Sequence, residues 1–185
     1  MSDLTKNALA ESLTLLLEER PLDKITIKDI TGRCGVTRNT FYYHFSDVYG
    51  LLSWIFEKQA DEIVKMYPDV NEEGFLYGLN YLYENRKMIY NVYFSISREE
   101  LSRYINTVTE DYALRFVEVL TRDIDVSEEA RVVTADFYKN ALVGAIFQWI
   151  QGRMSTSPKA LAALYDSMFR GTVKQAIISA ENGLQ

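Results

Sequence analysis

The sequence predicts an all-α protein in which an N-terminal three-helix helix-turn-helix domain precedes a C-terminal helical bundle, about nine helices in total. Three observations lead to this prediction. Apolar residues recur at helical spacing along most of the chain. The nine glycines and three prolines among 185 residues stand mostly at breaks between these segments. No stretch alternates long enough to predict a strand, and a hydrophobic content of 48% is sufficient for a substantial core.

The first two helices are predicted from a leucine face and a capping motif. Leu9 and Leu13 belong to the apolar face of the first helix, which ends before Pro21 because proline cannot continue a helix. Thr26 followed three residues later by Asp29 has the spacing of a capping box at the start of the second helix.

A tight turn at Gly35 separates the second helix from a short third helix, which Thr37 can cap. Two short helices joined in this way form a helix-turn-helix. Phe41 and Phe45 are four residues apart and share the inner face of the third helix. The polar residues and adjacent tyrosines around them are therefore expected to point outward.

The remaining helices are predicted from their polar first turns. A long fourth helix runs from Ser46–Asp47 to Tyr67–Pro68, and one of the later helices covers roughly residues 86–95. We divide the chain into a helix-turn-helix domain, residues 1–46, and a larger helical domain, residues 47–185. The other predicted helix starts carry capping residues, acidic first turns or an N-terminal proline, and they lie at Asn71, Ser97, Ser127 and Ser157–Pro158.

Composition excludes several classes of function. A single cysteine permits no internal disulfide and suits a reducing cytoplasm, and no apolar run is long enough to span a membrane. One histidine and one cysteine make neither a catalytic triad nor a typical zinc site. The acidic pairs lie in first turns, where the helix dipole explains them. We therefore expect no catalytic residues, no metal and no cofactor.

The net charge of −6 limits nucleic-acid binding to a small local surface, because residues 1–65 hold eight basic and ten acidic residues. The outer face of the third helix offers hydroxyl, amide and phenol groups, which suit base edges and phosphates, and no carboxylate. Lys28 and Arg38 add positive charge and His44 can donate to a phosphate. This surface suits DNA binding, although a glycine-turned helix pair in an all-α protein more often serves packing alone.

Residues 25–52, ITIKDITGRCGVTRNTFYYHFSDVYGLL, resemble the N-terminal domain of the TetR (tetracycline-repressor) family of bacterial transcription regulators. The resemblance lies in the threonine that opens the second helix, the Gly-Val-Thr turn, the Tyr-His-Phe run and a leucine on the fourth helix. It implies contacts with an operator in double-stranded DNA. The residues expected at this interface are Thr26, Lys28, Thr37, Arg38, Asn39, Thr40, Tyr42, Tyr43 and His44. Lys28 is inferred from its charge alone.

The sequence departs from the family pattern at two positions. Many members have glycine where this chain has Asn39, so the side chain can read a base. Many have a phosphate-binding lysine where this chain has Val48. Together with the acidic charge, this loss predicts modest affinity and dependence on sequence-specific contacts.

The C-terminal part is rich in aromatic residues, which either fill the core or line a cavity for a small, partly apolar ligand. The resemblance implies an effector pocket but does not identify the ligand. Our candidates for this pocket are Tyr104, Tyr112, Phe116, Tyr138 and Trp149.

The segment 141–150, ALVGAIFQWI, is apolar nearly all round, so it is either central or covered by a partner. The resemblance implies a homodimer formed by the last two helices. The residues predicted at this interface are Phe147, Ile150, Leu161, Tyr165 and Met168.

These observations predict a cytoplasmic, dimeric DNA-binding transcription regulator, most simply a repressor released by an unknown small-molecule effector. FYYHF followed by YGLLSWIFE also resembles a branch of the family that includes an activator of a dihydroxyacetone kinase operon, which responds through a protein co-activator. Such an activator is one alternative. A small-molecule-binding helical bundle that does not bind DNA is an alternative of another class.

Overall fold

The computed structural model of the chain describes residues 2–68 and 71–184, apart from the side chain of Ser2 and several side chains of the seventh helix between positions 98 and 111. Within these residues the chain forms nine α-helices, one short 3-10 helix at Leu22–Lys24 and no strand, which confirms the all-α prediction. The helices are α1 Ser2–Glu19, α2 Ile27–Cys34, α3 Arg38–His44, α4 Val48–Met66, α5 Glu72–Glu84, α6 Arg86–Tyr93, α7 Arg98–Thr121, α8 Glu128–Gln151 and α9 Pro158–Leu184.

The capping residues that the sequence indicates begin their helices. The backbone N–H of Asp29 donates to the Thr26 hydroxyl at 3.2 Å, and the Thr26 N–H donates to the Asp29 carboxylate at 2.9 Å. The Thr26 hydroxyl and the Thr26 N–H both donate to the Asp29 carboxylate, and together with nearby Arg20 they hold the pKa of the Asp29 carboxyl below its usual value. At the start of α8, Ser127 accepts from the N–H of Ala130 at 3.2 Å. The capping box therefore fixes where α2 begins.

The chain divides into two compact units. The first unit holds the residues up to Gln59 together with Asn85–Leu101, and the second holds Ala60–Glu84 together with the residues from Ser102 onward. These units are defined by packing. The functional boundary at residue 46 stays a prediction.

The first unit packs α1 against α2, α3 and α6. Leu13, Ile30 and Phe41 are among its fully buried side chains. The side-chain amide of Asn91 on α6 donates to the carbonyl of Leu17 at 2.7 Å. This hydrogen bond satisfies a carbonyl near the C-terminus of α1, where the helix itself provides no donor. α6 is thus part of the same unit as the helix-turn-helix.

The second unit packs α9 against α5 and α8. Its core includes Phe116 and Val117 of α7, Tyr138 of α8 and Val173 and Ile177 of α9. Among the described residues, we find no helix long and apolar enough to cross a bilayer.

Candidate nucleic-acid interface and effector cavity

The turn between α2 and α3 depends on Gly35. Its φ of 72° lies in the left-handed region, which a residue with a Cβ adopts only under strain. The N–H groups of Gly35 and Val36 both donate to the carbonyl of Thr31, which closes α2. α3 then begins at Thr37, whose hydroxyl accepts from the N–H of Thr40 at 3.1 Å. Backbone geometry and capping thus fix the direction of α3.

The two faces of α3 differ in burial as the sequence predicts. Phe41 is fully buried and Phe45 is nearly so. Tyr42 is 58% exposed and Tyr43 is 84% exposed. The Tyr43 ring packs edge-on against His44, with 5.0 Å between the ring centroids. The inner face anchors α3 to its unit, and the outer face presents two phenols to solvent.

The predicted DNA-contacting residues come together on α3 and at the start of α2. Thr26, Lys28, Thr37, Arg38 and Asn39 are exposed, whereas Thr40 and His44 are half-buried. The Thr26 hydroxyl also donates to the Asp29 carboxylate at 2.7 Å, so its first role is to begin α2. Their contacts with DNA stay predictions.

Two further lysines, neither predicted from the sequence as part of the interface, lie beside the Trp54 ring in the first unit. The ammonium group of Lys6 lies 6.0 Å from the ring centroids of both Phe45 and Trp54. That of Lys58 lies 5.4 Å from the Trp54 ring and donates to the Asn7 side chain at 2.7 Å. Both cations rest against aromatic faces. Val48, the first residue of α4, is half-buried.

The second unit contains a cavity of about 30 Å³ among α5, α7, α8 and α9. Ligand pockets for drug-sized molecules are roughly 300–1,000 Å³, so this cavity is closed to such a ligand. Half of its lining residues are aromatic. Three of these rings, those of Phe116, Tyr138 and Phe169, have centroids 5.1 to 6.2 Å apart. The lining residues are Phe75, Thr109, Tyr112, Ala113, Phe116, Tyr138, Lys139, Leu142, Asp166 and Phe169.

Charged and phenolic groups interrupt this apolar lining. Lys139 forms an ion pair with Asp136 at 2.6 Å, and Asp166 forms one with Arg170 at 2.7 Å. Burial raises the pKa of Tyr112 to about 12, with Asp166 adding to the rise and Arg170 opposing it. The Tyr112 phenol therefore stays protonated and can donate a hydrogen bond at neutral pH.

Three of the five predicted pocket residues line this cavity, namely Tyr112, Phe116 and Tyr138. Trp149 lies outside the lining, because its ring stacks on Tyr83 and its indole N–H donates to the carbonyl of Thr156 at 2.8 Å. The side chain of Tyr104 lies outside the described residues. The charged lining residues were not predicted from the sequence, since a helical lysine or aspartate gives no sign of facing inward.

The five residues predicted at a dimer interface differ in burial. Phe147, Ile150 and Leu161 are buried within the chain, so they have almost no surface left for a partner, whereas Tyr165 is half-buried and Met168 is exposed. Other large apolar side chains remain exposed on α8 and α9. Five of the exposed apolar side chains of these two helices, Met168 among them, are called the apolar stripe: Val133, Phe137, Leu164, Met168 and Ile178.

Comparison with known proteins gives two family matches. A family model described as bacterial regulatory proteins of the tetR family matches residues 14–53. A second, described as a transcriptional regulator C-terminal region, matches residues 70–171, which is more than half of the chain.

Two known proteins are similar to this chain in sequence. The chain is 31% identical over 87 residues to the HTH-type dhaKLM operon transcriptional activator DhaS of Lactococcus lactis subsp. lactis (strain IL1403), a match that covers 46% of each protein. The chain thus spans less than half the length of this relative. It is 25% identical over 152 residues to the Transposon Tn10 TetC protein of Escherichia coli, covering 76% of this chain and 75% of that protein.

Two solved structures share the fold. The dihydroxyacetone kinase operon activator DhaS superposes with a TM-score of 0.71 at 22% identity, covering 92% of this chain and 97% of that chain. A TetR transcriptional regulator from Streptococcus agalactiae 2603V superposes with a TM-score of 0.62 at 24% identity, covering 90% and 94%. At these identities the likeness shows the fold.

Proposed function

This chain belongs to the TetR family of bacterial transcription regulators, and from that premise we propose that it acts in the cytoplasm as a homodimeric repressor that a small-molecule effector releases from its operator. It is a DNA-binding regulator, so a helical bundle without DNA binding no longer describes it. We propose no catalytic activity, because the family's function is binding.

The amphipathic α3 is the observation that supports DNA reading by this chain. Phe41 and Phe45 anchor the helix to its unit, while Arg38, Asn39 and Tyr43 are exposed and carry polar groups at their ends. A helix of this kind reads the major groove through a few side chains. Asn39 is the candidate for base reading, since an amide can form two hydrogen bonds to adenine. The other exposed residues of α2 and α3 would position the helix on the backbone.

Selection from a random pool of DNA duplexes tests this proposal. We expect the full-length protein to enrich one palindromic motif, because a two-fold dimer presents two copies of α3. Asn39→Ala should lose the enrichment or relax one base in each half-site. The control is Asn80→Ala, which removes an exposed asparagine from α5. If the wild-type protein enriches no motif, the assignment of α3 as a sequence reader is wrong.

For the dimer we propose the apolar stripe as the contact surface. Its residues recur at the spacing of one helix face, and Gly144 and Gly171 extend the same faces with nothing within 4 Å of an added Cβ. Small residues at such positions let a second pair of helices approach closely. A second copy of the chain would cover the exposed Phe137, which is 65% exposed in the single chain.

For the effector we propose the cavity lined by Tyr112, Phe116 and Tyr138. At about 30 Å³ it must expand to admit a ring. A ligand that binds only the expanded form shifts the population toward that form in proportion to its differential affinity. Release from the operator follows if the expanded form holds the two recognition helices at a spacing that does not fit DNA.

One observation favours a second candidate, an activator. One of the two relatives, DhaS of Lactococcus lactis, is named as a transcriptional activator. Deleting the gene for the present chain and measuring transcripts of genes next to its enriched motif separates the two: transcripts rise if it represses and fall if it activates.

A further inference from the structure

Each of the two ion pairs at the cavity wall has one partner in the lining, and a ligand could replace the other partner more easily in one pair than in the other. From this difference we infer that the effector is a small aromatic acid whose anionic group pairs with Lys139. This inference rests on the proposed effector cavity and adds to it the charge of the ligand. The side chains that carry it are Lys139 on α8, Asp166 and Arg170 on α9, and Tyr112 on α7.

In the ion pair of Lys139 with Asp136, a ligand could replace the partner more easily. Its side chain is only 11% exposed and lines the cavity, whereas its partner Asp136 is 54% exposed and lies outside the lining. The two are three residues apart on one helix, and pairs of this kind with a solvated partner contribute little. A ligand anion in the cavity could take the place of Asp136 as the partner of Lys139. It would be less solvated than Asp136, and the attraction between two charges is stronger where less water surrounds them.

Asp166 is held more firmly. Its side chain is largely buried, and Arg170, one helical turn away, donates to it at 2.7 Å. The guanidinium carbon of Arg170 also lies 5.8 Å from the Phe116 ring centroid, so the cation has a second support. A cationic ligand would have to displace Arg170 from both contacts. The exchangeable charge of the cavity is therefore positive.

The neutral polar groups of the cavity also suit an anion better than a cation. Tyr112 remains a protonated phenol at neutral pH and can donate to a carboxylate. Tyr138 is already paired, because its hydroxyl lies 2.7 Å from the Thr172 hydroxyl. The aromatic rings of Phe116 and Phe169 would face the apolar body of the ligand. Phe75, Leu142 and Phe169 line the cavity and are half-buried, so these side chains would have to move for the cavity to admit it.

Three probes that share a phenyl ring but differ in charge test this inference: phenylacetate, 2-phenylacetamide and phenethylamine. Calorimetric titration of the full-length protein at pH 7 should give phenylacetate a Kd at least about tenfold lower than that of the neutral amide, as charge-assisted hydrogen bonds are stronger than neutral ones. Phenethylamine should bind more weakly than either. Phenylacetate should also weaken binding to the enriched DNA motif.

Variants at position 139 identify the responsible group. Lys139→Met keeps an apolar chain of similar length and should remove the preference for phenylacetate over the amide. Lys139→Arg should retain it, as should the control Lys159→Met, which removes an exposed lysine from α9. Wild-type-like DNA binding by Lys139→Met without any probe would show that the variant is folded.

The remaining outcomes overturn the inference in distinguishable ways. If the amide or the amine binds as tightly as phenylacetate, or if Lys139→Met keeps the preference, the ligand is not an anion paired with Lys139, although the cavity remains. If none of the three probes binds, both the anionic ligand and the effector cavity are wrong. Enrichment of a DNA motif by the same protein reports on the regulator function independently.

Discussion

On a short helix, a shift of one residue position decides whether a side chain is buried or exposed, as Tyr42 and Tyr43 show. Neighbouring side chains on a helix point about 100° apart, so two adjacent tyrosines cannot both follow Phe41 into the core. The structure leaves both phenols exposed and buries the phenylalanines on either side. Each ring touches a neighbour on α3 only by an edge contact and leaves most of its surface to solvent, which makes the pair a candidate for contact with DNA.

Replacing Tyr43 with alanine tests this at the residue scale. Because the ring is 84% exposed, we expect the free energy of unfolding to change by less than about 1 kcal/mol, as at ordinary surface sites. Affinity for the enriched DNA motif should fall. Phe41→Ala is the contrasting variant, and it should lose about 3–5 kcal/mol of stability because it empties a fully buried site. Denaturant unfolding and a mobility-shift titration measure the two effects, and unchanged affinity in folded Tyr43→Ala would remove its assigned role.

Single residues also show where sequence reasoning stops. The outward direction of Tyr43 follows from helical periodicity alone. The position of Trp149 does not, because it depends on which partner its indole N–H meets, and that partner is the carbonyl of Thr156. Lys139 was missed for a related reason: lysine is usually solvated, and only the packing of four helices places this one beside a cavity.

At the scale of elements, helix starts are predicted better than helix faces. Thr26, Thr37 and Ser127 begin their helices as expected, since capping is a local interaction within four residues. Which side chains of α8 stay exposed was not predictable, because the C-terminal half of the helix is apolar nearly all round. Phe147 is buried and Phe137 is exposed, and only the tertiary structure distinguishes them.

Two glycines of the helix-turn-helix allow a test of the turn. Gly35 has a φ of 72°, so Gly35→Ala should destabilise the protein by roughly 1–2 kcal/mol, the cost of a left-handed conformation with a Cβ. Gly32 lies within α2 with open space around it, and Gly32→Ala should stabilise by about 0.5–1 kcal/mol. Thermal unfolding of both variants measures the difference. Equal shifts in Tm would contradict the conformational explanation.

The whole molecule raises the question of what covers the apolar stripe. Gly171 of α9 has nothing within 4 Å of an added Cβ, so Gly171→Leu should leave the fold of the chain intact. If a second copy packs there, the leucine side chain will keep the two apart, and sedimentation should show a shift from dimer to monomer at micromolar concentration. Gly183→Leu is the control, since Gly183 also has open space and lies near the end of α9. A Gly171→Leu protein that remains dimeric would place the interface elsewhere.

The charge of the whole molecule sets the last prediction. A net charge of −6 opposes binding to any DNA, and Val48 stands at the start of α4 where the family resemblance places a phosphate-binding lysine. Val48→Lys adds one cation per protomer and no contact with a base. Affinity should therefore rise about equally for the enriched motif and for random DNA, and specificity should not improve.

Salt dependence distinguishes a phosphate contact from a general change in charge. Each new phosphate contact releases counterions, so the slope of log affinity against log salt should steepen by about 0.9 per protomer in Val48→Lys. Asn80→Lys carries the same added charge at an exposed site on α5, and we expect it to leave the slope close to the wild-type value. A Val48→Lys protein with the wild-type slope would show that the start of α4 does not face the phosphates. The DNA would then approach α3 from a different direction, and the contacts proposed for Thr26 and Lys28 would have to be reassigned, because those two residues lie outside α3 and depend on the docking direction.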